Sequence, residues 1–189
     1  WCSLAPAIFW LCARANPFTD ALCREAIPRG IKALRTLMAK ECPDSRDEMA
    51  WVSLCGGLAL ANAGLGVIHG LAGPLGGLSN AAHGALCGSL LPFGLALNET
   101  QISDERLRQR FADVRQWLAA GLDADPNSAW ESLREWSQRT GLGNLRELGV
   151  PREALEPAAL AASSSSSMKA NPAVLTAEQL LEMLEAAWE

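Results

Sequence analysis

The sequence predicts an all-α fold, a helical bundle. Apolar residues recur at three-to-five residue steps through almost every segment. Helix-start signals recur with them: Asn16-Pro17, Ser128-x-x-Glu131 and Thr176-x-x-Gln179. No stretch sustains the alternation a half-buried strand requires. At 189 residues the chain suits one domain, or one domain of a larger protein, with a core of normal size.

Taken in order, residues 1–12 (WCSLAPAIFWLC) form a short apolar start without a secretory signal. The chain opens on Trp rather than Met, and 1–14 is expected to be an altered or truncated start, with 15–162 as the helical core. Asn16 should cap a helix whose core face carries Phe18, Leu22, Ile27, Ile31, Leu34 and Met38, with a kink at Pro28 and Gly30. A second helix should begin at Asp44 or Ser45, with acidic residues in its first turn, and stop at Gly64. Residues 66–78 read as a short glycine-rich segment broken at Pro74. Asn80 is expected to cap the next helix, with His83 in its first turn and its end near Asn98.

Charge then returns. Residues 103–120 are amphipathic, with Leu107, Phe111, Val114 and Leu118 on one face. Ser128 and Glu131 predict a capping box for a helix ended by Gly141. A short helix follows over 151–162, then a Ser-rich loop over 163–175 and a terminal helix over 176–189 bearing Leu180, Leu181, Leu184 and Trp188. Trp51, Trp117 and Trp136 read as core or half-buried anchors.

Hydrophobic content of 49% with 20% charged residues is globular rather than disordered. A net charge of −5 with no basic patch argues against nucleic-acid binding. The six cysteines (2, 12, 23, 42, 55, 87) make no C-x-x-C pair, and read as buried free thiols in a reducing, cytoplasmic setting.

Between Glu48 and Glu99 the chain has no Asp, Glu, Lys or Arg, yet both of its histidines, His69 and His83, lie there. A membrane hairpin is one reading, since Gly66-x-x-x-Gly70, Gly73-x-x-x-Gly77 and Gly84-x-x-x-Gly88 match small-residue packing. Eleven glycines, two prolines and three asparagines dilute the stretch, however. No continuous run of about twenty strongly apolar residues survives, so no membrane is expected. Neutral imidazole is a ligand for Zn²⁺ or Fe²⁺. A glycine-rich turn can fold back two histidines fourteen residues apart, although satisfied core histidines are the other reading of the pair.

NPFTDALCREAI (16–27), GGLALANAGLGVIHGLAGPLGG (56–77), HGA (83–85), LLPFGLALN (90–98) and SSMKANPAVLTAEQLLEML (166–184) together resemble the iron-containing alcohol dehydrogenases. The resemblance implies the metal-bearing C-terminal helical domain of the dehydroquinate synthase-like fold, with the NAD(P)-binding α/β domain absent. In the family pattern an Asp and a His from one helix bind the metal with two further histidines. The latter two match His69 and His83. A middle histidine, implied near the reacting substrate, is replaced by Gly73. The family's upstream Asp falls on Trp1 and its His or Gln on Ala5, or on Cys2 and Pro6 with one residue of slippage, which restores no Asp or His.

The implied metal is Fe²⁺ or Zn²⁺, held by His69 and His83, with any further ligand to come from Asn62 or a partner chain; Asn62 and Leu65 read as packing residues or, alternatively, as pocket walls. The resemblance implies NAD(P)-linked interconversion of a small alcohol and its aldehyde, in a possible homo-oligomer. It assigns no catalytic or nucleotide-binding residue to this chain. The competing expectation is a non-catalytic helical interaction domain derived from such an enzyme, with a degraded metal site.

Overall fold

In a computed structural model, residues 6–189 are described, and the account of side chains begins at Ala7. Positions 1, 2 and 5 lie outside the described residues, as does the side chain of Pro6. The proposed correspondences there remain readings of sequence.

Asn16 caps its helix as expected, and Thr19 closes a full capping box not foreseen from the sequence. Asn16 Oδ1 accepts from the Phe18 and Thr19 amides, and its own amide donates to Thr19 Oγ1 at 2.9 Å. Helix α1 spans Pro6–Leu11, and α2, Pro17–Ala39, continues without a break through Pro28. The buried face of α2 is Cys23, Ala26, Ile27, Gly30, Ile31 and Leu34, rotated from the expected stripe so that Phe18 and Met38 are exposed. Helix α3, Pro43–Ala63, ends where Gly64 takes φ 84°, a left-handed conformation that favours glycine. A Cβ there would also meet Ala170 Cβ at 2.8 Å.

Helices α4 (Val67–Leu78) and α5 (His83–Gln101) follow. Pro74 does not break α4. Asn80 is not the cap of α5: Ala82 occupies that position, without a side-chain bond, and His83 is the first helical residue. Helix α6 (Glu105–Leu122) is capped by Asp104, which accepts from the Leu107 amide at 2.9 Å. The Ser128–Glu131 capping box is absent. Asp125 instead caps a 3-10 turn at Pro126–Ser128, and Glu131 pairs with Arg134 at the start of α7, Ala129–Arg139. A 3-10 turn at Arg152–Ala154 leads into α8, Leu155–Ser163. The serine run then enters another 3-10 turn, Ser166–Ala170, so 163–175 is partly structured. The Thr176 box opens α9, Ala177–Trp188. There is no strand among the described residues.

A main core joins these helices, and Ala26, Val52 and Cys55 form a smaller cluster between α2 and α3. Helix α2 packs on α3 and α6, α4 on α5 and α8, and α9 on α8 and α5. Helix α1 is buried against α2, α3 and α6, with Phe9, Trp10 and Leu11 each 2% exposed. Trp51, Trp117 and Trp136 are half-buried, with Arg29 stacked over Trp51 and Trp117 edge-on to Trp10. Cys12, Cys23 and Cys55 are buried free thiols and Cys42 is half-buried. Burial pushes Cys12 and Cys23 up to about 12, so neither ionises near neutral pH.

Among the described residues, no single helix is long and apolar enough to cross a membrane. Helices α3 and α4 reach that threshold only as a pair, bent by 102°.

Candidate metal centre

His69 is the third residue of α4, and His83 the first of α5. From His69 to Leu78 the helix climbs about 13 Å, at 1.5 Å per residue. The five steps from Leu78 to His83 reach at most about 17 Å when extended, enough to return along the helix. Backbone torsions at Ser79 and Ala82 are extended, and Ser79 Oγ donates to the Leu75 carbonyl at 2.8 Å, fastening the turn. Further along, Leu86 comes against Gly76, where a Cβ would meet it at 3.8 Å. The two imidazoles therefore meet, with ring centroids 5.6 Å apart and planes tilted by 48°.

Helix α4 is held in place at its start by the C-terminal segment. The Val67 amide donates to Asn171 Oδ1 at 3.0 Å, and Asn171 Nδ2 donates to Asn98 Oδ1 at 2.7 Å. The absence of a side chain at Gly66 admits this latch, since a Cβ would meet Asn171 Oδ1 at 2.8 Å. Gly70 admits Met168 in the same way. Gly73 and Gly77 differ: nothing lies within 4 Å of where a Cβ would sit, so that side of α4 is open.

His69 is half-buried under Phe9, whose ring stacks on it at 6.1 Å. Its Nδ1 is buried and has no hydrogen-bond partner, a cost of about 1–3 kcal/mol for a buried polar group. Burial holds the imidazole below its ordinary pKa, and the neighbouring His83 lowers it further, which keeps it neutral. His83 is exposed, and its Nε2 lies 3.4 Å from Cys87 Sγ, one helical turn on. The donor atoms of His69, His83 and Cys87 all lie within 4.8 Å of one another. An unpartnered buried nitrogen beside two further soft or borderline donors suits a divalent transition metal.

Sequence reasoning picked the two histidines but placed Cys87 only among the buried thiols. The signal available was His83-x-x-x-Cys87, an i,i+4 pair on one helix face. Asn62 does not join the cluster: it is exposed, and its Nδ2 donates to the Leu58 carbonyl of its own helix at 2.8 Å. Leu65 packs against the core. A groove of about 680 Å³, lined by Lys32, Arg35 and Trp117 between α2 and α6, contains none of the three donors.

An all-helical domain in which imidazoles from the starts of two glycine-rich helices meet defines a class, and comparison with known proteins makes it specific. Residues 9–188 match the model of the Fe-containing alcohol dehydrogenase family, C-terminal part. The chain belongs to that family. Lactaldehyde reductase from Escherichia coli (strain K12) is 32% identical over 173 residues, covering 90% of this chain and 44% of that protein. Alcohol dehydrogenase 4 from Saccharomyces cerevisiae is 28% identical over 181 residues, covering 93% and 45%. The solved structure of a 1,3-propanediol oxidoreductase superposes with a TM-score of 0.85 at 28% identity, covering 98% of this chain and 49% of the other. The chain thus spans about half the length of the relatives it matches.

Proposed function

We propose that this chain is the metal-bearing helical part of an NAD(P)-linked alcohol dehydrogenase that interconverts a small alcohol and its aldehyde. The observation that carries the reading is the convergence of His69 and His83 with the His69 Nδ1 left unpartnered. The relatives, among them a lactaldehyde reductase and an alcohol dehydrogenase, support the substrate class.

In this reading His69 and His83 hold the ion as neutral ligands, and the depressed pKa of His69 keeps protons from competing for its ring. A bound Fe²⁺ or Zn²⁺ supplies Lewis acidity that polarises the alcohol or carbonyl oxygen. Phe9 covers one face of His69, limiting both water access and rotation of the ring. Gly73 brings no ionisable group to the open side of α4, so proton exchange with substrate falls to water or to groups elsewhere. Nicotinamide binding is assigned to a separate nucleotide domain.

Equilibrium dialysis of the purified chain against Fe²⁺ under anaerobic conditions, and separately against Zn²⁺, tests the reading. About one ion per chain is expected, with His69→Ala reducing it at least tenfold. Binding below that level, or binding indifferent to His69→Ala, would leave the non-catalytic helical interaction domain as the better description. That second reading has its own support in sequence: residues 1–19 contain no Asp, Glu or His.

A further inference from the structure

We propose that Cys87 is a third protein ligand of the ion, completing a His–His–thiolate site that favours zinc over iron. The inference rests on the reading of His69 and His83 as metal ligands and adds a donor to it. Three observations carry it. The first is distance: in a tetrahedral zinc site with bonds of about 2.05 Å to nitrogen and 2.3 Å to sulfur, the two donors stand about 3.6 Å apart. His83 Nε2 and Cys87 Sγ are 3.4 Å apart before any ion is considered.

The second is placement. His83 and Cys87 lie one turn apart on α5, so a rigid helix sets their spacing, while His69 comes from α4. The widest separation, no more than 4.8 Å, closes by about 1 Å through side-chain rotation. The third is the donor inventory. Among the described residues this is the one cluster of three potential ligands, and it contains no carboxylate. The first acidic residue of the chain, Asp20, is paired with Arg110.

Cys87 binds as the thiolate, releasing its proton to solvent as the sulfur–metal bond forms. Two imidazoles and one thiolate are a softer set than imidazoles with a carboxylate, which shifts preference toward zinc. Three protein ligands also leave the fourth tetrahedral position for water or substrate, the arrangement of catalytic zinc sites.

Cobalt(II) reports on this directly, because a thiolate–cobalt bond adds an intense near-ultraviolet charge-transfer band to the weak visible bands of any tetrahedral ion. Titration of the full chain with Co²⁺ should produce both sets of bands. Cys87→Ser should abolish the charge-transfer band while visible bands persist, and should weaken Zn²⁺ binding at least tenfold. Cys42→Ser, at the more accessible half-buried thiol, should change neither. Visible bands that depend on His69 but lack a Cys87-dependent charge-transfer band would overturn the thiolate ligand and leave the histidine pair standing. No bound cobalt at all would overturn both.

Discussion

Arg110 shows how much of this fold depends on single polar groups in an apolar setting. It is 7% exposed; its Nη1 donates to Asp20 Oδ1 at 2.8 Å and to the Trp10 carbonyl at 2.6 Å. Its guanidinium stacks 4.4 Å from the Trp10 ring, and Trp10 Nε1 donates back to the Arg110 carbonyl at 3.2 Å. One side chain thereby ties α1, α2 and α6 together. Breaking a buried ion pair from one side strands the other charge, which typically costs 3–5 kcal/mol. Arg110→Ala should therefore lower the stability of the chain by about 3–5 kcal/mol, read from the urea unfolding midpoint. An Arg110→Met, Asp20→Asn double variant should recover part of the loss, because no buried charge is left unpaired. A loss under about 1 kcal/mol for Arg110→Ala would show that α1 is held by its apolar side chains alone.

At the scale of elements, Glu99 near the end of α5 joins two further helices. It accepts from Arg115 Nε of α6 at 2.8 Å and from Trp130 Nε1 of α7 at 2.7 Å. Burial pushes its carboxyl pKa up, but the Arg115 and Trp130 hydrogen bonds and the Arg115 charge outweigh this, and the net shift is downward. A carboxylate whose folded pKa lies below its unfolded value stabilises the fold above the unfolded pKa, near 4.3. That contribution is lost as pH falls through the folded value. Glu99→Gln should be less stable than the parent at pH 7 by about 1 kcal/mol, the side chain being partly open to solvent. The deficit should shrink below about pH 4 in thermal melts. A deficit independent of pH would assign the effect to packing.

The same elements show what sequence could and could not tell. The cap at Asn16 was legible from the Asn-Pro pair, and the box at Thr176 from Gln179 three positions on; the Thr19 half of the Asn16 box was not. The box at Ser128 failed because Glu131 has a competing partner, Arg134, and Asp125 had already capped the preceding turn. Asn80 failed as a cap because the chain stays extended to Ala82 to bring His83 back to His69. Helix α1 was not foreseen because residues 7–12 are buried on every side, which erases the amphipathic period that marks a surface helix.

For the whole molecule, the charge-free stretch becomes α3, α4 and α5, and its glycines have different surroundings. A Cβ at Gly64, Gly66 or Gly70 would come within 2.8 Å of the C-terminal segment, whereas nothing lies within 4 Å of one at Gly73 or Gly77. Close packing thus fixes the start of α4, while of the three donor residues only His83 is exposed. The histidine pair was legible because the chain has only two and both sit without charged neighbours in sequence. Cys87 was not, because among six scattered cysteines only the return of the chain at 79–82 brings it beside both imidazoles. Family membership covers the helical half of proteins about twice as long. Metal binding is the part of the proposed activity that this half can show by itself.

The most direct test is the thermal shift produced by Zn²⁺ in the parent chain and in His69→Ala, each measured against its own metal-free melt. An ion that binds only the folded state at one hundred times its dissociation constant adds about 2.7 kcal/mol, a rise of several degrees. The account predicts that rise for the parent and little or none for His69→Ala. Equal shifts in both proteins, or none in either, would contradict a metal centre built on His69 and His83.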